Sequence, residues 1–228
     1  MSKRAKGLPR PDLHYEEEAW RKGHRIVVGL DEVGRGCLAG PVVAAAVVLE
    51  PGVVIEGVTD SKRLSAAARE ALAPIIHKRA FGVGLGAASA EEIDRVNILQ
   101  ATWLAMGRAL DALECTPDFL LVDGKLRYPS STPQRTLIGG DARSLSIACA
   151  SIVAKVARDR SMVEWAERFP GYGFERHKGY GTAAHRAAIR ALGPCLLHRR
   201  GFRGVCPDDV SRHKQLTLLD SGRPPSGG

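Results

Sequence analysis

Apolar and polar positions along the chain follow two rhythms, which divide it into short buried strands and longer helices. Arg25–Leu30 (RIVVGL) and Val42–Leu49 (VVAAAVVL) are short, β-branched apolar runs joined by a glycine-rich turn, the pattern of a strand pair with a buried face. Phe81–Ala88 is another strand candidate. Phe119–Val122 (FLLV) stops abruptly at Asp123-Gly124, as a buried strand does when it delivers a carboxylate to its carboxyl end. Ser89-Ala-Glu-Glu92 has capping-box spacing and predicts a helix start, with a longer helix following from Asn97 to Leu113. From Ala142 to Arg168 there is no Gly or Pro, and Ile147, Ile152 and Val156 recur at helical intervals, which predicts one long helix. Thr182 is placed to cap a last helix running to Ala191, stopped by Gly193-Pro194. A helix over Ser65–Lys78 is expected to kink or split at Pro74, where a backbone hydrogen bond is lost. Strands alternating with helices predict an α/β layer fold with its chemistry at strand ends.

Composition narrows this picture. A chain of 228 residues, 44% of them hydrophobic, suffices for one domain with a real core. The start (MSKRAKGLPRPDLHYEEEAWRKG) has no apolar signal region, and the longest apolar run, Val42–Leu49, is too short to span a bilayer. Five scattered cysteines, Cys37, Cys115, Cys149, Cys195 and Cys206, form no CxxC pair and read as reduced thiols. A soluble, cytoplasmic, monomeric protein without membrane partners is therefore expected. The formal charge of +8 suits a polyanionic partner. From Gly171 onward ten Lys or Arg stand against four Asp or Glu, so this third is expected to help hold nucleic acid.

The densest chemistry is Gly29-Leu30-Asp31-Glu32-Val33-Gly34-Arg35-Gly36, an apolar strand running into two acids and a glycine-arginine-glycine turn. Two carboxylates after a buried strand are costly unless paired, and a hard cation such as Mg²⁺ or Mn²⁺ is the natural partner where no His or Cys cluster competes. Neighbours on a strand point to opposite faces, so Asp31 and Glu32 converge only if the strand ends or bends there; Gly34 and Gly36 make a bend easy. Asp123 and Asp141, the latter after Gly139-Gly140, sit at similar boundaries, where single acids are more often turn formers or caps. Four acids around two metal ions could activate a water and steady the leaving oxygen of a phosphodiester. Asp60-Ser61-Lys62-Arg63 places a hydroxyl and two cations before a helix, a way to hold phosphate through charge and amides, or simply a capped turn. Tyr172–Tyr180 interleaves aromatics, cations and glycines and suits stacking on bases or sugars. His198-Arg199-Arg200 reads as a solvated cationic face without a catalytic role.

In these residues the chain resembles the bacterial ribonuclease HII family from Ile26 to Val205: GLDEVGRG, LAGPVVAAAVVL, DSKRL, VDG, GDARSLSIACASIVAKVARD, YGFERHKGYGT and HRRGF follow the family's order and approximate spacing. The resemblance implies a ribonuclease-H-like α/β fold, a mixed central sheet flanked by helices with a small C-terminal helical part. Residues 25–205 would form the catalytic domain, 1–24 a flexible N-terminal segment and 206–228 a disordered tail. It implies that Asp31, Glu32, Asp123 and Asp141 bind two divalent cations, Mn²⁺ or Mg²⁺, that Gly34-Arg35-Gly36 senses the ribonucleotide 2′-hydroxyl, and that Tyr180 stacks at the RNA-to-DNA junction. Ser61 and Lys62 join the expected substrate contacts. The implied substrates are RNA–DNA hybrids and single ribonucleotides in duplex DNA, cut on the 5′ side to leave 3′-hydroxyl and 5′-phosphate ends. Cys37 stands where the family commonly has proline, Lys125 where asparagine often follows the DG, Cys149 for alanine and Gly201 for serine; no acid is lost. The two dozen residues before Arg25 are too few for the extra N-terminal domain usual in ribonuclease HIII. In the tail, Gln215, Leu216, Leu218 and Leu219 are similar to the short motif that docks bacterial replication and repair proteins on the sliding clamp, and equally to a few apolar residues in a floppy tail.

Overall fold

A computed structural model describes residues 10–206. Five strands, β1 (Val27–Val33), β2 (Val42–Val48), β3 (Gly82–Ala88), β4 (Phe119–Asp123) and β5 (Gln134–Leu137), form one mixed sheet in the order β3-β2-β1-β4-β5. The β1–β2 and β2–β3 pairs are antiparallel, whereas β1–β4 and β4–β5 are parallel. Helices cover both faces, which is why β2, an interior strand between β3 and β1, is buried along its whole length. On one face α4 (Leu145–Arg168) and α2 (Ala66–Arg79) pack against Val43, Ala45 and Val47; on the other α3 (Ala90–Asp111) packs against Val42, Ala44, Ala46 and Val48. Small residues let the layers approach closely: a Cβ on Gly29 would lie 2.4 Å from the Ser146 carbonyl carbon of α4, and one on Gly86 2.2 Å from the Ala105 oxygen of α3.

The helix starts follow the sequence rules. Ser89 and Glu92 complete the capping box of α3, and the two helices expected there meet at Asn97 (φ 71°), whose side chain accepts from the Leu99 and Gln100 amides. Ser144 caps α4 and Thr182 caps α6 (Ala183–Leu192), which ends at Gly193. With the one-turn helix α5 (Phe174–His177), α6 forms the small helical part packed beyond the end of α4.

Two expectations differ, and one strand was not expected. Pro74 does not split α2, which runs unbroken because Leu72, Ala73 and Ile76 anchor it in the core while Pro74 itself faces solvent. The edge strand β5 reads QRTL, too polar to announce itself. Most consequentially, the segment expected to be flexible to residue 24 contains a helix, α1 (His14–Arg21), and is part of the packed domain. Its Glu16 is fully buried and accepts from Ser144 Oγ (2.6 Å), Ser146 N (2.9 Å) and Ser146 Oγ (2.6 Å), while Leu145 N donates to Asp12 O (2.8 Å). The helix is polar by composition, so its buried carboxylate hid it from pattern reading. The clamp-like motif at Gln215–Leu219 and the expected tail disorder lie outside the described residues. Among those residues no helix is long and apolar enough to cross a membrane.

Candidate active site

The carboxyl ends of the parallel neighbours β1 and β4 carry the first acids. Their last paired residues are Leu30 and Val122, so Asp31 and Asp123 stand side by side one step further along. Asp141 follows on the short 3₁₀ turn Gly140–Ala142, and the Gly140 amide donates to Asp123 Oδ1 at 2.7 Å, fastening that turn to the end of β4. The strand does not bend between Asp31 and Glu32. It stays regular to Val33, with Asp31 opposite Ala45 and Glu32 opposite Ala44, and the turn comes at Gly34 (φ 94°). Asp31 therefore faces α4 on the side of Ser151, and Glu32 faces α3. There Glu32 and Asp123 border an open cleft of about 390 Å³ with Thr102, Trp103 and Met106.

Burial and mutual repulsion dominate the electrostatics. Asp31, 5% exposed, has its carboxyl pushed well above the ordinary range by burial and then by the charges of Asp123 and Glu32, with Ser151 opposing. Burial also raises Glu32 against the pull of Arg35, and raises Asp123 against the Gly140 amide. Two cations answer this charge: Lys62 Nζ lies 2.9 Å from Asp141 Oδ2 and Arg35 Nη1 3.2 Å from Glu32 Oε1. Burial works against the Lys62 ammonium, yet its bond to Asp141 holds it above the ordinary lysine value. Asp31 and Asp123 have no ion-pair partner among the described residues. All the donors are carboxylate oxygens, the chemistry a hard divalent cation wants, and its charge would relieve the repulsion that raises Asp31. The donors thus fit such an ion, although in these rotamers no three His, Cys, Asp or Glu groups of the described residues already sit in ligating range.

Beside the acids two loops meet. Gly34-Arg35-Gly36 leads into Leu38, whose amide, with that of Ala39, donates to Gly179 O (2.8 and 3.3 Å), so the glycine-arginine-glycine turn and the Tyr180 loop are joined. Tyr180 is 41% exposed, with Lys155 Nζ 5.6 Å from its ring centroid. Two fully buried arginines brace the junction. Arg158 donates to Pro41 O, Ala39 O and Lys178 O, and Arg199 to Gly40 O and Arg35 O.

Some expected positions move. Ser61 is buried and shares a 2.8 Å hydrogen bond with Ser151 Oγ, so its hydroxyl supports the wall behind Asp31 and is not presented to a phosphate. The Lys62 and Arg63 amides are likewise spent on Asp60, leaving the Lys62 side chain, 77% exposed, as the group that reaches the site. His198 and Arg199, read as a solvated face, are interior: His198 pairs with His185, and Arg199 Nε and Nη1 donate to backbone carbonyls, while its Nη2 has no partner among the described residues. Arg158 and Ser151 carried no separate signal: both are buried on α4, but Arg158 stands beside Lys155, Asp159 and Arg160, so the sequence marks it as one of a charged stretch.

The model of the Ribonuclease HII family matches residues 28–205. Ribonuclease HII of Syntrophotalea carbinolica is 58% identical over 193 residues, covering 85% of this chain and 92% of its own. That of Geotalea uraniireducens is 54% identical over 193 residues, covering 85% and 89%. Among solved structures, ribonuclease H2 from Pyrococcus horikoshii OT3 superposes with a TM-score of 0.68 at 22% identity, over 84% of this chain and 99% of its own. The RNase HII in the PCNA:RNase HII complex from Archaeoglobus fulgidus gives 0.66 at 26% identity, over 77% and 94%. Bst-RNase HIII in complex with Mn²⁺ gives 0.60 at 21%, over 86% and 70%.

Proposed function

The chain belongs to the ribonuclease HII family, a family of nucleases, and on that footing we propose that it hydrolyses the RNA strand of RNA–DNA hybrids and incises 5′ to single ribonucleotides in duplex DNA, leaving 3′-hydroxyl and 5′-phosphate ends. The observation that carries the reading is the gathering of Asp31, Glu32, Asp123 and Asp141 at the ends of β1 and β4 and the turn behind them. These residues would hold Mg²⁺ or Mn²⁺, the latter bound by the Bst-RNase HIII relative, and two such ions supply an activated water and a counter-charge for the leaving oxygen.

The chain's own groups do the rest. Lys62, exposed and already on the Asp141 carboxylate, contacts a phosphate as a mobile point charge. The peptide groups of Gly34, Arg35 and Gly36, fixed from behind by Arg199, meet the minor-groove edge where a 2′-hydroxyl distinguishes RNA from DNA. Tyr180, held against that loop through Gly179, stacks on the sugar or base beside the junction. Ser151, paired with Ser61, works against the raised Asp31 carboxyl without touching substrate.

The test is cleavage of a labelled DNA duplex carrying one ribonucleotide, with Mg²⁺ or Mn²⁺, beside Asp31→Asn and Asp123→Asn. Incision 5′ to the ribonucleotide, lost in both variants and absent on all-DNA duplex, supports the assignment; binding without cutting under either metal refutes it. The tail motif at Gln215, Leu216, Leu218 and Leu219 adds a docking contact on the sliding clamp, a partner class that the Archaeoglobus fulgidus relative also engages. Removing residues 207–228 should abolish clamp binding and leave cleavage intact.

A further inference from the structure

Behind Tyr180 lie three imidazoles with no part in the chemistry above. His185 and His198 are 0% and 2% exposed, and His177 stacks on His185 with ring centroids 4.3 Å apart. Their partners dictate which nitrogen carries each proton. His185 Nδ1 is 2.9 Å from the Tyr180 carbonyl oxygen, which can only accept, so Nδ1 is protonated. Its Nε2 is then a lone pair, and His198 Nε2, 3.1 Å away, must donate to it. That leaves His198 Nδ1 to accept from the Cys195 amide at 3.0 Å, with the Cys195 thiol at 3.2 Å. His177 Nε2 donates to Tyr172 O at 2.7 Å, and its Nδ1 accepts from the Gly179 amide at 3.2 Å.

Every ring nitrogen is satisfied only while all three rings are neutral. An added proton on His198 would confront the Cys195 amide, one on His185 the His198 N–H, and one on His177 the Gly179 N–H. The chain ends on both sides of Tyr180, at the Gly179 amide and the Tyr180 carbonyl, and Gly179 O is the acceptor that ties the glycine-arginine-glycine turn to this loop. The remaining faces are packed by Tyr172 and Phe174, and the charges acting on the pair are each other, His177 and Arg186 of α6.

We propose that His185 and His198, with His177, are positioning residues: a neutral, tautomer-locked chain that sets Tyr180 against the Gly34–Gly36 loop and releases it on taking up a proton. The inference rests on the reading of Tyr180 as a substrate-stacking side chain. Burial, followed for His198 by its neighbour His185, depresses both histidines, His198 to about 4. A folded value below the unfolded one means that the stability of this arrangement is present above pH of about 6.5 and is lost as pH falls toward the folded value.

Binding of a fluorescein-labelled duplex with one ribonucleotide, measured on the full chain carrying Asp31→Asn to suppress cutting, tests this. Tyr180→Ala and His185→Leu should each weaken binding about tenfold, and together no more than either alone. His185→Asn, whose amide keeps the donor to the Tyr180 carbonyl, should bind within about twofold of its parent. Nitrogen-15 spectra of the unsubstituted chain should show the proton on Nδ1 of His185 and on Nε2 of His198 and His177. Protons on the opposite nitrogens, or His185→Leu binding as tightly as its parent while Tyr180→Ala weakens, would overturn the positioning role and leave the Tyr180 reading standing. Tyr180→Ala binding like its parent would overturn both.

Discussion

Replacing Gly29 with alanine tests whether the separation of β1 from α4 sets both the fold and the site. The added Cβ would sit 2.4 Å from the Ser146 carbonyl carbon and 2.5 Å from the Ile147 nitrogen, backbone atoms that cannot swing aside. Ordinary contact begins at 3.4 Å, so the start of α4 must retreat by about 1 Å. That movement strains the packing of a core layer, a cost of about 2–3 kcal/mol, equivalent to about 5–10 °C in melting midpoint for a chain of this size. It also carries Ser151 away from Asp31 and disturbs the Asp141 turn just upstream. A misplacement of about 1 Å around reacting groups costs on the order of a hundredfold in turnover. Circular-dichroism melting and kcat on an RNA–DNA hybrid measure the two effects. Gly36→Ala is the stability control: a Cβ there meets nothing within 4 Å, so its midpoint should match the parent. A Gly29→Ala protein with the parent's melting midpoint and kcat would refute the argument that this contact is closed.

Asp31→Asn should abolish cleavage yet stabilise the metal-free protein. The folded carboxyl is raised, so ionising it costs stability at neutral pH, a cost that fades as pH falls through the raised value; in chelator at pH 7 the variant should gain on the order of 1 kcal/mol in urea unfolding and converge with the parent in acid. Lys62→Met should raise KM and lower the slope of log affinity against log salt by about 1, read from binding at several salt concentrations, since one phosphate contact is lost. Glu16→Ala leaves the Ser144 and Ser146 donors without their shared acceptor in the interior and should lower unfolding free energy by about 2–3 kcal/mol in urea titration; a midpoint equal to the parent's would show that α1 is not part of the domain.

What was legible in the sequence divides by the range of the interactions. The capping box at Ser89, the Thr182 cap and the strand runs depend on residues within a few positions of one another, and there the expected elements and the observed ones agree, while the long helix expected from Ala142 starts at Leu145 behind its Ser144 cap. The glycine-rich blocks and the acid at each strand end locate the site because a buried strand that stops at a carboxylate is itself a local signal. Direction was not local. Whether Glu32 joins Asp31 on one face depends on how far β1 stays paired with β2, and that pairing continues to Val33, opposite Val43. The same holds for Ser61, Arg199 and Glu16, polar residues that pattern reading sends to the surface. Each is interior with a partner at least 90 positions away, Ser151 for Ser61, Arg35 and Gly40 for Arg199, Ser144 and Ser146 for Glu16, although one Glu16 oxygen and one Arg199 nitrogen stay unpartnered among the described residues. Burying an unpartnered charge costs several kcal/mol, so these residues could be interior only because the fold brings their partners to them. The loops that would read a ribonucleotide therefore owe their shape to buried polar groups spread through the chain. Substitutions at those groups should alter substrate selection before they alter the acids.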